Sequence, residues 1–190
     1  EINADGLYLL PGCIDDQVHF REPGLTHKGN IFSESKAAVA GGITSFMDMP
    51  NTIPNTLTQE LLEEKYSMAS KNAIANYSFF MGINQHNLEE ALKTNNEQVC
   101  GITDDGLYFN DEKGILANYP EFLEKLFCRS DALIALHSED DNIISNKHKV
   151  TPRASVGGGV RLRYRYGYPP APDPRYYVIN NTNNTIVVFY

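Results

Sequence analysis

Residues 43–58, ITSFMDMPNTIPNTLT, decide the fold. Their short apolar run predicts a β-strand over residues 44–49, and Pro50 and Pro54 end that strand in a polar loop. Thr58 then begins a helix whose first half carries acids and whose later part carries lysines, as the helix dipole favours. The stretch therefore predicts one βα unit with a polar loop at the carboxyl end of its strand.

The same alternation of short apolar runs and helical stretches continues through the first 150 residues, which is the pattern of parallel βα units. Further strands are predicted at residues 14–20, 77–81, 99–102 and 132–136, and further helices at residues 32–40, 88–93 and about 118–128. Gly41-Gly42 ends one helix, and Pro120 lies in the first turn of another.

Polar clusters follow four of these strands. QVHFREPG follows the first strand, DMPNT the second, TDDG the fourth and HSEDD the fifth. The carboxyl ends of strands are where α/β proteins place their chemistry. A doubly wound sheet would share this arrangement, but the Gly-rich phosphate turn that usually follows its first strand is missing. We therefore predict an α/β fold of the (β/α)8 TIM-barrel type, with about five of the eight βα units present.

The composition is that of a globular protein. The chain has 190 residues, of which 42% are hydrophobic and 21% charged, and this predicts one to one and a half domains. No apolar run approaches the roughly 18 to 20 residues of a membrane span, and the N-terminal residues lack the features of a signal peptide, so we expect a cytoplasmic protein. Cys13, Cys100 and Cys128 show no metal or disulfide spacing and are predicted to be reduced core thiols.

Charge divides the chain into two parts. The net charge of −8 argues against a nucleic-acid partner. Residues 151–190 carry +4 and hold six of the eleven tyrosines, a run of three glycines and a proline cluster, whereas residues 1–150 carry −12. We interpret residues 151–190 as an unrelated basic tail that came from a frameshift or misassembled reading frame, and residues 1–150 as a partial barrel.

The first group of candidate site residues is His19, Asp104, Asp105 and His137. Imidazole and carboxylate groups suit zinc and similar ions, and barrel strand ends would let them converge. A single His at a strand end is often a hydrogen-bonded loop residue, and Asp-Asp-Gly is a common turn. Spacing alone therefore leaves a metal site and a structural role both open.

Arg21 and Asn51 differ in kind from these residues. An arginine near the strand ends offers a bidentate grip on a carboxylate, and an asparagine in a proline-bounded loop can donate and accept hydrogen bonds. A surface salt bridge and an Asx turn are the structural alternatives for these two residues.

Four segments together resemble the dihydroorotases of the amidohydrolase superfamily over about residues 5–149. The segments are PGCIDDQVHFREPGLTHKGNI, AAVAGGITSFMDMPNTIPNT, GITDDGLYF and ALIALHSEDD. The HFREPG stretch favours dihydroorotase over the related allantoinases and hydantoinases. The resemblance implies a metal-dependent (β/α)8 barrel that reversibly closes N-carbamoyl-L-aspartate to dihydroorotate in pyrimidine biosynthesis.

The resemblance also implies roles for single residues. His19, Asp105 and His137 match metal ligands, and Arg21 and Asn51 match the groups that hold the substrate carboxylate. The family's first-strand pair His-x-His stands here as Gln17-Val18-His19. The implied cofactor is zinc, one or two ions, and because an amide oxygen is a poor replacement for imidazole, we expect weak metal binding at the Gln17 position.

The sequence departs from the family in other places. The aspartate that transfers a proton after the last barrel strand has no counterpart, so no catalytic residue is assigned and we expect this chain by itself to be inactive. Two alternatives remain: a non-catalytic dihydroorotase-like subunit, suggested by Gln17, and another cyclic-amide hydrolase of the allantoinase or hydantoinase type. The expected partner is a small-molecule substrate, with neither nucleic acid nor membrane, and a homo-oligomer is left open.

Overall fold

The computed structural model describes residues 3–107, 119–137, 176–181 and 184–189. Five strands in the first 137 residues are parallel, and each pairs with the next in chain order. They are β1 (Cys13–Val18), β2 (Ile43–Asp48), β3 (Asn76–Gly82), β4 (Gly101–Thr103) and β5 (Ile134–His137). The parallel βα pattern predicted from the sequence is confirmed.

In the described residues, four helices connect these strands, close to where the sequence predicts them. They are α1 (Ile31–Ala40), α2 (Gln59–Asn72), α3 (Leu88–Ala91) and α4 (Pro120–Arg129). Thr58 caps α2 by accepting from the Leu61 amide, as expected. Pro120 is in the first turn of α4, but its N-cap is Tyr119, which makes no side-chain capping bond.

Two more strands come from the segment that the sequence analysis interprets as an unrelated tail. Strands β6 (Tyr176–Asn181) and β7 (Asn184–Phe189) form an antiparallel hairpin, and β7 pairs in parallel with β5. The described strands thus form one sheet in the order β1-β2-β3-β4-β5-β7-β6. The interpretation of residues 151–190 as an unrelated tail stays a prediction.

The two faces of the parallel sheet are both buried. Because successive strand residues point to opposite faces, Phe79 and Met81 belong to the main core cluster, while Phe80 packs with Met49 and Ala135 in a second one. The main cluster also contains Leu62 of α2 and other helix side chains. Burial on both faces is what a barrel-type sheet requires, with helices outside and the second cluster inside.

No helix in the described ranges is both long enough and apolar enough to span a membrane. The cytoplasmic location stays a prediction. The three cysteines are unpaired, but two of them are not core residues, since Cys13 and Cys128 are exposed. Cys100 is half-buried, and its thiol donates a hydrogen bond to the Phe79 carbonyl at 2.8 Å.

Cys100 should react far more slowly than the two exposed thiols. Burial raises the pKa of Cys100 to about 11, so at neutral pH this group is almost entirely the unreactive thiol. We expect iodoacetamide to modify Cys13 and Cys128 roughly a hundredfold faster than Cys100, measured peptide by peptide by mass spectrometry under native conditions. In urea the three rates should become equal. Equal rates in the folded protein would contradict the burial of Cys100.

Candidate active site

The candidate site lies at the carboxyl ends of β1, β2, β4 and β5. His19 directly follows β1, Asn51 lies in the loop after β2, Asp104 and Asp105 follow β4, and His137 is the last residue of β5. Parallel strands bring these ends to the same edge of the sheet. The structure therefore places side chains together that are more than 100 residues apart in the sequence.

Asp105 is the centre of the cluster. Its Oδ2 accepts a hydrogen bond from Gln17 Nε2 at 3.0 Å and lies 3.3 Å from His19 Nε2. Its Oδ1 lies 3.2 Å from His137 Nε2. The Asp105 amide donates to Thr103 Oγ1 at 3.1 Å, which fixes the start of the turn after β4. Both carboxylate oxygens are thus held by donors from β1 and β5.

These contacts shift the acid–base behaviour of the cluster. The hydrogen bond to Asp105 raises the pKa of His19, and it outweighs burial, which lowers that pKa. Burial by itself would raise the pKa of Asp105, but the hydrogen bonds from His19 and Gln17 together hold it below its usual value. The carboxylate is therefore ionised in a pocket where it is only 5% exposed.

The second ring nitrogen of each imidazole also has a neighbour. His19 Nδ1 lies 2.7 Å from Asn51 Oδ1. His137 Nδ1 lies 3.5 Å from Asp104 Oδ1, and the same oxygen accepts the His137 backbone N–H at 2.9 Å. Both Nε2 atoms consequently point at Asp105. Such outer contacts orient ligand histidines in metal sites.

Asn51 reaches His19 because the turn after β4 leaves room for it. Gly106 has φ +70, and a Cβ at this position would lie 2.3 Å from Asn51 Nδ2. The backbone conformation and the close approach both call for glycine. Gly106 of the DDG segment is therefore needed to place Asn51 as well as to form the turn that carries Asp105.

Replacing Gly106 by alanine should disturb the site and not the backbone alone. We expect Gly106→Ala to lower the free energy of unfolding by about 1–2 kcal/mol from the left-handed backbone, and to displace Asn51 from His19. The matched control is Gly42→Ala, where φ is +88 but no atom lies within 4 Å of the added Cβ. Urea unfolding reports stability, and the ring-nitrogen NMR signals of His19 report the contact. An unchanged His19 signal in Gly106→Ala would contradict the prediction.

Arg21, two residues after His19, has an unusual backbone conformation. Its φ is +72, in the left-handed region that costs about 1–2 kcal/mol for a residue with a side chain. Its loop is docked on the loop after β2, since the Ile53 amide donates to the Pro23 carbonyl at 3.1 Å. Within the described residues the Arg21 guanidinium makes no hydrogen bond or ion pair, so it is available to an anion at this edge.

The structure also shows a buried ion pair that the sequence analysis did not identify. Lys65 Nζ lies 2.7 Å from Asp48 Oδ2, and both side chains are about 1% exposed. The charge pattern of α2 predicts only a helix-dipole role for its lysines. The spacing of Leu62, Lys65 and Ala69 places them on one face of the helix, and all three are buried. This spacing is the sequence signal that could have indicated the burial of Lys65.

The donor types in the cluster fit zinc. Two imidazole nitrogens and a carboxylate are a common ligand combination, and each imidazole has a partner on its other nitrogen. The side chains of the cluster are, however, spaced for hydrogen bonds to one another. No group of three or more His, Cys, Asp or Glu in the described part of the chain is placed to hold a metal ion. Gln17 occupies part of this space by donating to Asp105.

Comparison with known proteins supports the resemblance found in the sequence. The family model described as dihydro-orotase-like matches residues 6–150. A dihydroorotase of Methanosarcina acetivorans is 37% identical over 148 residues, covering 75% of this chain and 30% of that protein. An allantoinase of Solibacter usitatus is 34% identical over 168 residues, covering 86% of this chain and 36% of that protein.

Similar folds are found among solved structures. The L-hydantoinase (dihydropyrimidinase) of Arthrobacter aurescens has a TM-score of 0.67 and 26% identity, covering 78% of this chain and 34% of that chain. This chain therefore spans about a third of the length of the relatives that it matches.

Proposed function

The chain belongs to the dihydroorotase-like family, and on that premise we propose that it carries part of a dihydroorotase site. Such a site converts N-carbamoyl-L-aspartate reversibly to dihydroorotate in pyrimidine biosynthesis. The observation that carries the proposal is the buried Asp105 between two imidazoles, with Arg21, which has no partner among the described residues, at the same edge of the sheet. A cyclic-amide hydrolase needs these two things: a place to activate water and a grip on the substrate.

His19, Asp105 and His137 are the residues that would hold zinc. A bound zinc ion would lower the pKa of water to about 7 and polarise an amide carbonyl. The chain's own contribution is orientation, because Asn51 and Asp104 lie at the Nδ1 atoms and keep both Nε2 atoms directed at Asp105. We assign no proton-transferring residue.

Arg21 is proposed to bind the substrate carboxylate. A guanidinium can donate two parallel hydrogen bonds to a carboxylate, which fixes both distance and orientation. The left-handed backbone at Arg21 supports this role, because strained residues persist where the surroundings hold them and often lie at functional sites. Asn51 is proposed as a second contact to the same carboxylate through its amide nitrogen, while its oxygen remains on His19.

A second candidate is a hydrolase of cyclic amides that carry no carboxylate. The similarity to an allantoinase and to an L-hydantoinase structure favours it. A third candidate is a non-catalytic subunit. Gln17 favours it, because its amide N–H donates a hydrogen bond to the Asp105 carboxylate. These candidates differ in the ligand that the site would bind and in whether Arg21 contributes to binding.

The test is ligand binding by this chain, followed by NMR or calorimetry. We expect N-carbamoyl-L-aspartate and dihydroorotate to bind, and Arg21→Ala to weaken both by about 10- to 100-fold, since two charge-assisted hydrogen bonds are lost. Arg129→Ala is the matched control, because Arg129 is exposed and paired with Glu89. Tighter binding of allantoin or hydantoin, unaffected by Arg21→Ala, would favour the second candidate. No binding by the folded chain would favour the third.

A further inference from the structure

The buried pair of Lys65 and Asp48 lies outside the Asp105 cluster but beside it. Besides its contact with Asp48, the Lys65 ammonium donates to the Met49 carbonyl at 2.8 Å and lies 4.8 Å from the centroid of the Phe79 ring. A buried charge pair is costly to desolvate, and apolar side chains of similar volume often stabilise a protein as well or better. Its presence therefore calls for an explanation beyond stability.

The pair connects the ends of two strands. Asp48 is the last residue of β2, and its Oδ1 accepts the Phe20 backbone N–H at 2.8 Å. Phe20 stands between His19 and Arg21 in the chain. The Met49 amide in turn donates to the Val18 carbonyl at 2.9 Å, so a second hydrogen bond joins the two strand ends next to Asp48.

We propose that Asp48 is a positioning residue for His19 and Arg21, and that Lys65 compensates the charge of its buried carboxylate. Lys65 forms an ion pair with Oδ2, while Oδ1 accepts the hydrogen bond from the Phe20 amide. That bond determines where the chain leaves β1, and hence where His19 meets Asp105. The claim that the placement of His19 matters for substrate binding rests on the proposed function. The claim that Asp48 determines this placement does not.

The backbone conformation of Arg21 gives a second reason to assign a positioning role to Asp48. Its φ of +72 is a conformation that persists only where neighbouring contacts determine it. The Asp48–Phe20 bond is one residue away and is buried, so no water competes for the amide. The hydrogen bond between the Ile53 amide and the Pro23 carbonyl holds the other side of the same turn.

Two double variants separate positioning from stability. Asp48→Asn/Lys65→Met removes both charges and keeps an acceptor oxygen for the Phe20 amide. Asp48→Leu/Lys65→Met removes both charges and the acceptor. Each is studied well below its own unfolding midpoint, with two measurements: the ring-nitrogen NMR signals of His19 and the exchange rate of the Phe20 amide proton.

We expect the Asn/Met variant to keep the wild-type His19 signals and Phe20 protection. The Leu/Met variant should shift the His19 signals and speed Phe20 exchange by about tenfold, the equivalent of one lost hydrogen bond. Unchanged His19 signals in the Leu/Met variant would overturn the proposal. Equal changes in both variants would also overturn it, because the charges and not the acceptor would then order the strand end.

Two provisions keep the test decisive. If the Leu/Met variant does not fold, Asp48→Ala/Lys65→Met takes its place with the same expectations. Binding of N-carbamoyl-L-aspartate is measured in parallel, and the Leu/Met variant should bind it about tenfold more weakly than the Asn/Met variant. If no version binds it while the His19 and Phe20 signals behave as expected, the proposed function fails and the positioning role stands.

Discussion

Replacing Lys65 by methionine should lower the free energy of unfolding by about 3–5 kcal/mol. Methionine fills much of the same space, so the loss comes from leaving the Asp48 carboxylate buried, charged and without its cation at 2.7 Å. The Met49 carbonyl loses a donor at the same time. Urea unfolding followed by circular dichroism measures the change.

Two further variants show whether charge burial is the cause. Lys71→Met is the matched control on the same helix, and because Lys71 is exposed we expect a change within about 0.5 kcal/mol. Adding Asp48→Asn to Lys65→Met removes the unpaired charge and should restore more than half of the lost stability. A Lys65→Met protein as stable as the Lys71→Met protein would show that the pair is not the buried contact described above.

Local sequence patterns predicted most elements to within one or two residues. Helix α2 begins after Thr58 and α1 ends at Gly41, because capping depends on residues that are adjacent in the chain. Strand β1 is the instructive difference: it was predicted to reach residue 20 but ends at Val18. There the Phe20 amide leaves the sheet pattern for a side chain of β2, which no local pattern can show.

In the candidate site too, the general arrangement was predictable from the sequence, but the individual contacts were not. That His19, Asp105 and His137 would lie near one another follows from parallel strand order, since strand ends share an edge. The individual contacts do not follow from it. The substrate role of Asn51 stays a prediction, but the contact of its side-chain oxygen with His19 was not foreseen, because it depends on the room left by Gly106, more than 50 residues further on.

Lys65 was misjudged for a physical reason. A lysine towards the end of a helix is favourable to the helix dipole when it is exposed, as most lysines are, but Lys65 is the seventh of the fourteen residues of α2. Lys65 is buried because it lies on the face of α2 that packs on the sheet. Leu62 and Ala69 mark that face. Burial of a lysine on such a face requires an acidic partner, and that partner is supplied by the end of β2.

Changing Gln17 to histidine should strengthen zinc binding by the chain by at least about tenfold. Two effects act in the same direction. An imidazole nitrogen is a much better zinc ligand than an amide oxygen, and removal of the Gln17 Nε2–H frees Asp105 Oδ2 from a hydrogen bond of 3.0 Å. Affinity is measured by competition with a chelator, and cobalt substitution gives a visible spectrum that reports the ligand geometry.

Gln17→Leu distinguishes the two effects, since it removes the amide hydrogen bond without adding a ligand. If release of Asp105 were sufficient, Leu and His would raise the affinity equally. We expect Leu to change it little, because a freed carboxylate oxygen still lies against His19 Nε2 at 3.3 Å. Equal zinc affinity in the wild-type and Gln17→His chains would refute the prediction. It would also mean that the residue at position 17 does not limit zinc binding by this chain.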